Sequence, residues 1–283
     1  MPLVRVLLAT NERSGSGGAQ DVAALLRAHG GDVRTCAVED VAPELVDGAE
    51  RVVVAGGDGS VGPAAHAASA AGVPLAVVAV GTANDFARAA DLPAEPEEAC
   101  ALAVRGEART ARFEIGRMDG RPFVNVASAG LSVVAAREAH PLKPRLGVLA
   151  YAVGAVRAAV THRPQPAHVV VDGREVFAGR AWQVVVAATG HFGGGSATGG
   201  TRADDRALDV LVVPASSRAA LVWRAIGMRR GRLHAQDDVV HARGREVLVE
   251  GPRTYNVDGE VCPCGGTSRF CVDERLVDVV VPA

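Results

Sequence analysis

One carboxylate set among glycines is the first place in this sequence where chemistry could happen. The turn Gly56-Gly57-Asp58-Gly59-Ser60-Val61 carries a single charge, Asp58. Glycine lets a backbone turn tightly and approach a ligand closely. Where such a turn opens a helix, N–H groups and the helix dipole favour phosphate, and an acidic side chain can bring in a divalent cation. Two other turns have a similar make-up, the polar loop Asn11 to Gly18 with Ser14 and Gly15, and Gly81-Thr82-Ala83-Asn84-Asp85-Phe86.

The elements around these turns would bring them together. Arg51 to Ala55, with three consecutive valines, reads as a buried strand of a parallel sheet. After the turn, Pro63 suits the first turn of a helix that runs through Ala64 to Ala71. A first strand around Arg5 ends near Thr10, a helix covers Ala19 to His29, and Gly30-Gly31 stops it. Asp32 to Ala37 reads as a second strand, Val41 to Val46 as a short acidic helix, and Val73 to Val80 as a fourth strand. Such alternation predicts a doubly wound parallel sheet, in which ligands bind at the carboxyl ends of the strands. All three turns fall on that rim.

Beyond Arg109 the rhythm changes to short β-type runs, which places a domain boundary near residue 111. We expect an α/β domain over 1–110 and a β-rich domain over 111–283, with the last strand, Val277 to Val280, a candidate to return to the first domain. Closely spaced strands separated by glycine, proline and Asp-Gly turns predict an antiparallel sandwich or barrel. Two strongly apolar helical insertions, Leu146 to Val160 and Ser217 to Gly227, suit core packing or the mouth of a hydrophobic pocket.

Bulk properties narrow the function classes. The 283 residues, 48% of them hydrophobic, suffice for two domains with proper cores. Only two Trp and two Tyr are present, which argues against stacked-base recognition of nucleic acid, and no dense basic tract suggests duplex binding. The net charge of −2 hides an asymmetry, because residues 1–115 hold 9 Arg against 16 acidic residues, leaving the remainder basic. That split permits attraction of the second half to a phosphorylated ligand or an anionic membrane. Lys143 is the sole lysine, so no Walker-type lysine loop exists. The opening residues read as a strand rather than a signal segment, and no apolar run is long enough to span a bilayer, so a cytosolic protein is expected.

Five segments in fixed order carry a family resemblance: Gly56-Gly-Asp-Gly-Ser60, Gly81-Thr-Ala-Asn-Asp-Phe-Ala-Arg88, Gly193-Gly-Gly195, Asp204-Asp205 with Leu208-Asp209, and Val257-Asp-Gly-Glu260. With them the chain resembles the diacylglycerol kinase catalytic-domain family, which includes bacterial soluble lipid kinases and, more distantly, NAD kinases. The resemblance implies ATP-dependent phosphorylation of a lipid hydroxyl, in a cleft between a nucleotide domain and a β-rich lipid domain. It implies that Asn11, Ser14 and Gly15 form an ATP loop, that Gly56, Gly57, Gly59, Ser60 and Val61 cradle phosphates, and that Asp58 stands near a catalytic Mg²⁺. Gly81, Thr82, Asn84 and Asp85 would complete the nucleotide site. Asp258 and Glu260 look like the acidic pair that supplies the general base, and either could take the proton of a hydroxyl nucleophile. Asp205, with the carbonyls of Arg202 and Ala207, would hold a structural Mg²⁺, for which oxygen ligands are suited.

The sequence departs from the family where Gly62-Pro63 replaces Asn-Glu, where Ser132 replaces an aspartate, where Thr189 replaces an asparagine and where Arg206 replaces a glycine. These changes keep two alternatives open, a kinase for a soluble acceptor and a non-catalytic nucleotide- or lipid-binding homologue. Cys262, Cys264 and Cys271 lack a fourth ligand nearby and read as reduced thiols rather than a zinc site. Peripheral contact with a membrane and a homodimer are both compatible with this reading.

Overall fold

The computed structural model describes residues 3–11, 18–142, 149–189, 191–192, 196–197, 206–217, 221 and 239–283. The chain divides into two compact units, Met1–Ile115 with Asp273–Ala283, and Gly116–Val272.

The first unit is built on a six-stranded sheet. Its strands are β1 (Val4–Thr10), β2 (Gly31–Ala37), β3 (Arg51–Gly56), β4 (Leu75–Ala79), β5 (Thr110–Phe113) and the last strand of the chain, β19 (Val277–Val280). They lie in the order β2-β1-β3-β4-β19-β5, and every neighbouring pair is parallel except β19 with β5. All six residues of β3 are buried, as expected of a central strand covered on both faces. The helices α1 (Gly18–Ala28), α2 (Asp58–Ala71), α3 (Asp85–Ala89) and α4 (Pro96–Ala103) supply the covering layers. Leu26, Val53, Val78 and Leu102 belong to one buried cluster between strands and helices.

Two local expectations are corrected. The segment after β2 forms two 3₁₀ turns, Val38–Asp40 and Pro43–Val46, rather than one short helix over 41–46. Helix α2 begins at Asp58, earlier than expected, so Pro63 is an interior residue rather than a first-turn one. The proline removes one interior N–H, yet the helix continues to Ala71.

The second unit is an antiparallel β structure. Its strands are β6 (Gly116–Met118), β7 (Arg121–Phe123), β8 (Val126–Gly130), β9 (Gln165–Val171), β10 (Arg174–Ala187), β13 (Leu208–Pro214), β14 (Val240–Gly244), β15 (Glu246–Glu250), β16 (Thr254–Val257), β17 (Glu260–Pro263) and β18 (Thr267–Val272), while β11 (His191–Phe192) and β12 (Ser196–Ala197) pair with each other. The main path runs β17-β16-β8-β10-β9-β15-β18-β6-β7, with β13 joined to β10 and β14 to β13. Strands from opposite ends of this path share one core: Met118 and Phe123 cluster with Tyr255 and Cys262, and the Tyr255 and Phe270 rings meet at 5.5 Å. The sheet therefore curls over itself as a sandwich, with alternating residues inside.

Two helices, α5 (Leu131–Ala139) and α6 (Leu149–Thr161), follow β8 and pack on each other. The other insertion expected to be helical, Ser217 to Gly227, lies mostly outside the described residues.

Candidate active site

In the first unit β3 and β4 are parallel neighbours, so the turns that follow them leave the same edge of the sheet. Gly56 accepts the Val80 N–H at 3.1 Å, which ties the two strand ends together. Beyond that bond the backbones touch, because a Cβ placed on Gly81 would stand 2.5 Å from the Gly57 Cα. Only glycine fits such an approach.

The second turn is locked from within. Asn84 adopts a left-handed conformation (φ 52°), accepts the Gly81 N–H at 3.0 Å through Oδ1 and donates Nδ2–H to the Gly81 carbonyl at 3.0 Å. Asp85 is buried and bonds Arg88 at 2.7 Å. Thr82 is exposed at the tip.

Asp58 joins the turns. As the first residue of α2 it follows Gly57 at the helix N-terminus, and its Oδ1 accepts the Phe86 N–H at 2.9 Å. The carboxylate is thus aimed by the neighbouring turn while remaining half-buried. The first N–H groups of a helix point out of its N-terminus, the arrangement that receives phosphate oxygens. Ser60 is buried with its N–H on the Gly57 carbonyl at 3.0 Å, and the Val61 side chain is part of the core. Contact from Val61 to a nucleotide would have to come from its backbone. Asn11, at the end of β1, is half-buried, whereas Ser14 and Gly15 lie outside the described residues.

In the second unit, Asp258 and Gly259 form a two-residue hairpin between β16 and β17, with φ of 46° and 91°. Positive φ at both positions is the geometry that Asp-Gly favours. The two carboxylates of this hairpin are placed very differently. Asp258 is buried, and it accepts three backbone N–H groups: Val124 on Oδ2 at 2.8 Å, Asn125 on Oδ1 at 3.0 Å and Val126 on Oδ1 at 3.0 Å. Most of its lone-pair capacity is committed to the fold. Glu260 is about half exposed and accepts from Arg121 at 2.6 Å.

Glu260 and Arg121 line an open cavity of about 360 Å³ together with Met118, Val261, Cys262 and Cys264. The Cys262 thiol is pushed above its ordinary pKa by burial, with Arg121 opposing and Glu260 and Asp258 reinforcing the shift. It is therefore a poor nucleophile. Among the described residues no group of three His, Cys, Asp or Glu side chains is placed to hold a metal, and Cys262, Cys264 and Cys271 are free cysteines.

Several residues of these sites carry no local sequence signal. The N–H groups of Val124 to Val126 and the Arg121 guanidinium are distant in sequence from the hairpin they serve. Asp209, which ends one of the motif segments, is fully buried and paired with His241 at 2.7 Å and Arg243 at 3.2 Å. Thr189 donates its hydroxyl to Asn125 Oδ1 at 2.9 Å, and Ser132 pairs with Ser128 at 2.8 Å. Of the expected structural cation site, Arg202 and Asp205 lie outside the described residues, as do Gly193 to Gly195. Ala207 is half-buried just before β13.

Residues 5–114 match the profile of the diacylglycerol kinase catalytic domain, and residues 125–279 match that of the YegS C-terminal NAD kinase beta sandwich-like domain. A probable lipid kinase YegS-like from Pseudomonas aeruginosa is 32% identical over 294 residues, spanning 99% of this chain and 90% of the relative. A protein of the same description from Xanthomonas euvesicatoria is 34% identical over 259 residues, spanning 83% of this chain and 80% of the relative. Among solved structures, a diacylglycerol kinase from Bacillus anthracis superposes with a TM-score of 0.77 at 20% identity, covering 100% of this chain and 98% of the other. An NAD kinase from Archaeoglobus fulgidus in complex with ATP superposes with a TM-score of 0.54 at 14% identity, covering 98% and 93%. At these identities the two structural likenesses establish the fold.

Proposed function

Since the chain belongs to the diacylglycerol kinase catalytic-domain family, in its YegS-like branch, we propose that it is an ATP-dependent kinase that transfers the γ-phosphate to a hydroxyl of a lipid or lipid-like acceptor such as diacylglycerol. The observation that carries this reading is the seating of Asp58 at the N-terminus of α2, bonded to the Phe86 N–H of the adjoining turn. It gives the unit a carboxylate and a set of N–H donors on one rim.

In this reading the N–H groups at the start of α2 and the turn Gly56 to Val61 bind the phosphates of ATP. Asn11, Ser14, Gly15, Gly81 and Thr82 hold the rest of the nucleotide. Asn84 and Asp85 act on the nucleotide through the shape they give the second turn. One carboxylate, Asp58, suits Mg²⁺, which is commonly held by one or two carboxylates plus phosphates and water. Such an ion would neutralise phosphate charge, and phosphoryl transfer depends mainly on positioning and charge neutralisation.

We assign the general base to Glu260 and a positioning role to Asp258. A proton acceptor must reach the acceptor hydroxyl with a free lone pair. Glu260 is exposed and held by a single guanidinium, whereas three N–H groups already occupy Asp258. The acceptor would be a bilayer lipid met peripherally.

The deciding measurement is Mg²⁺-dependent ADP release with ATP and a panel of diacylglycerol micelles, sphingoid micelles and soluble metabolites. Stimulation by a lipid, abolished by Asp58→Ala and by Glu260→Gln, supports the proposal. Stimulation by a soluble metabolite alone would move the protein to another acceptor class, and ATP binding with no stimulated release would make it a binding protein.

A further inference from the structure

Three elements of the second unit meet around a recess that the kinase reading leaves unused. The last turn of α5 brings Arg137, the start of β9 brings Gln165, and the entry to β16 brings Arg253 and Thr254. Together they line a cavity of about 230 Å³ whose apolar side includes Val133 and Pro166. Arg137 donates to the Thr254 hydroxyl oxygen at 3.5 Å, which ties α5 to β16 at this place. The hydroxyl oxygen is the acceptor in that bond, so its own proton remains to be donated.

The charge around this recess is one-sided. No acidic side chain lines it, and among the described residues no carboxylate pairs with Arg137 or Arg253. Glu138, the acidic neighbour of Arg137 on α5, is engaged instead by Arg157 at 3.2 Å. Each polar side chain of the lining can donate hydrogen bonds: two guanidinium groups, one hydroxyl and one amide. Like charges that share a small recess repel, and an anion placed among them turns that repulsion into attraction.

We propose that this cavity is a binding site for a small, soluble phosphate-bearing molecule, with Arg137, Arg253 and Thr254 as its anion-holding residues. None of its lining residues belongs to the first unit or to the Asp258-Gly259-Glu260 hairpin. A phosphate monoester carries about −1.5 to −2 charges at neutral pH, which matches two guanidinium groups, whereas a carboxylate matches one. Guanidinium forks also pair with phosphate through parallel hydrogen bonds. The volume lies below the roughly 300–1,000 Å³ of pockets that enclose drug-sized ligands, so it suits a phosphate on a short body rather than an acyl chain. Val133 and Pro166 would cover that body. The inference goes beyond the kinase reading and does not depend on it.

The test is equilibrium dialysis of the full chain against radiolabelled glycerol 3-phosphate, without nucleotide. The wild type is expected to bind it, to release it to inorganic phosphate but not to glycerol or acetate, and to bind more weakly as salt rises. Arg253→Gln should weaken binding about tenfold, the equivalent of one charge-assisted hydrogen bond. Arg137→Gln combined with Arg253→Gln should lower the count by one ligand per chain, so that any phosphate held at the start of α2 stays in the count. Should the double variant fail to fold, Thr254→Val, which removes only a hydroxyl, should still weaken binding about fivefold. No binding by the wild type, equal affinity in the wild type and Arg253→Gln, or displacement by acetate as strong as by phosphate overturns the proposal. So does Arg253-dependent retention on phosphatidylglycerol vesicles by a chain that ignores soluble phosphate, which would make the recess a lipid contact. Dialysis needs no turnover, so absence of lipid-stimulated ADP release with this site intact would count against the kinase reading alone.

Discussion

Gly81 lies so close to Gly57 that a Cβ on Gly81 would stand 2.5 Å from the Gly57 Cα, whereas a Cβ on Gly57 would rest 3.4 Å from the Gly81 Cα. The first distance requires something to move, and the second is ordinary contact. Gly81→Ala should therefore force the turns apart and destabilise the protein by about 2 kcal/mol, in the range of overpacked sites. Gly57→Ala should melt within a degree or two of the wild type yet weaken ATP binding about tenfold, since its methyl would crowd the edge where phosphate is received. Thermal melts with and without Mg-ATP separate the two effects. Equal melting temperatures for the two variants would refute the contact as the reason for glycine at position 81.

The two carboxylates of the Asp258-Gly259-Glu260 hairpin should separate in the same way. Asp258→Asn puts an NH₂ group against backbone N–H donors that now meet an oxygen. The resulting buried mismatch should cost about 2–4 kcal/mol, so this variant loses stability and activity together. Glu260→Gln removes only a half-exposed ion pair with Arg121, of a kind worth about 0–1 kcal/mol. It should melt like the wild type while turnover falls about 10²- to 10⁴-fold, the usual contribution of a general base. Full activity of Glu260→Gln would return the base to Asp258 or to another group.

How far the sequence can be read follows from how local each signal is. The buried strand β3 and its glycine turn are legible because three valines and three glycines in one short run allow few other structures. The Asp-Gly hairpin is legible for the same reason. That Asp258 serves as an anchor is not, because its three donors lie 132 to 134 residues away, and the Arg121 partner of Glu260 lies 139 away. The apolar character of α6 is plain in the sequence, but the face it presents to α5 depends on the Gly154 contact with Ala135. Pro63 was misleading because a proline preference for first turns says nothing of how early α2 can start on glycine-rich backbone.

Asn84 offers a test of positioning without direct contact. Its two bonds to Gly81 and its φ of 52° mean that Asn84→Ala loses both hydrogen bonds and adds left-handed strain. A cost of about 1–3 kcal/mol is expected. Asn84→Gly relieves the strain but not the lost bonds, so it should recover part of the melting temperature. If the turn shapes the nucleotide site, both variants weaken Mg-ATP binding, and the glycine variant does so despite its better fold. ATP affinity unchanged in Asn84→Gly would remove the second turn from the site.

His168 makes a pH-dependent contribution whose sign can be worked out. Its Nδ1 meets Glu250 at 2.9 Å and its Nε2 meets Glu175 at 2.8 Å, on three adjacent strands, β9, β10 and β15. Hydrogen bonds first to Glu250 and then to Glu175 raise the histidine above its ordinary value of 6.5. A raised value means that the folded state holds the proton more tightly than the unfolded chain. The stabilisation is therefore fully present below about pH 6.5 and is lost as pH rises through the higher folded-state value. The ring is exposed to solvent, so the effect is small and shrinks with salt. His168→Gln should remove that part of the melting-temperature decline as pH rises above about 6.5, leaving the remaining profile unchanged. A steeper decline in the variant than in the wild type would reverse the sign and rule out the paired imidazolium.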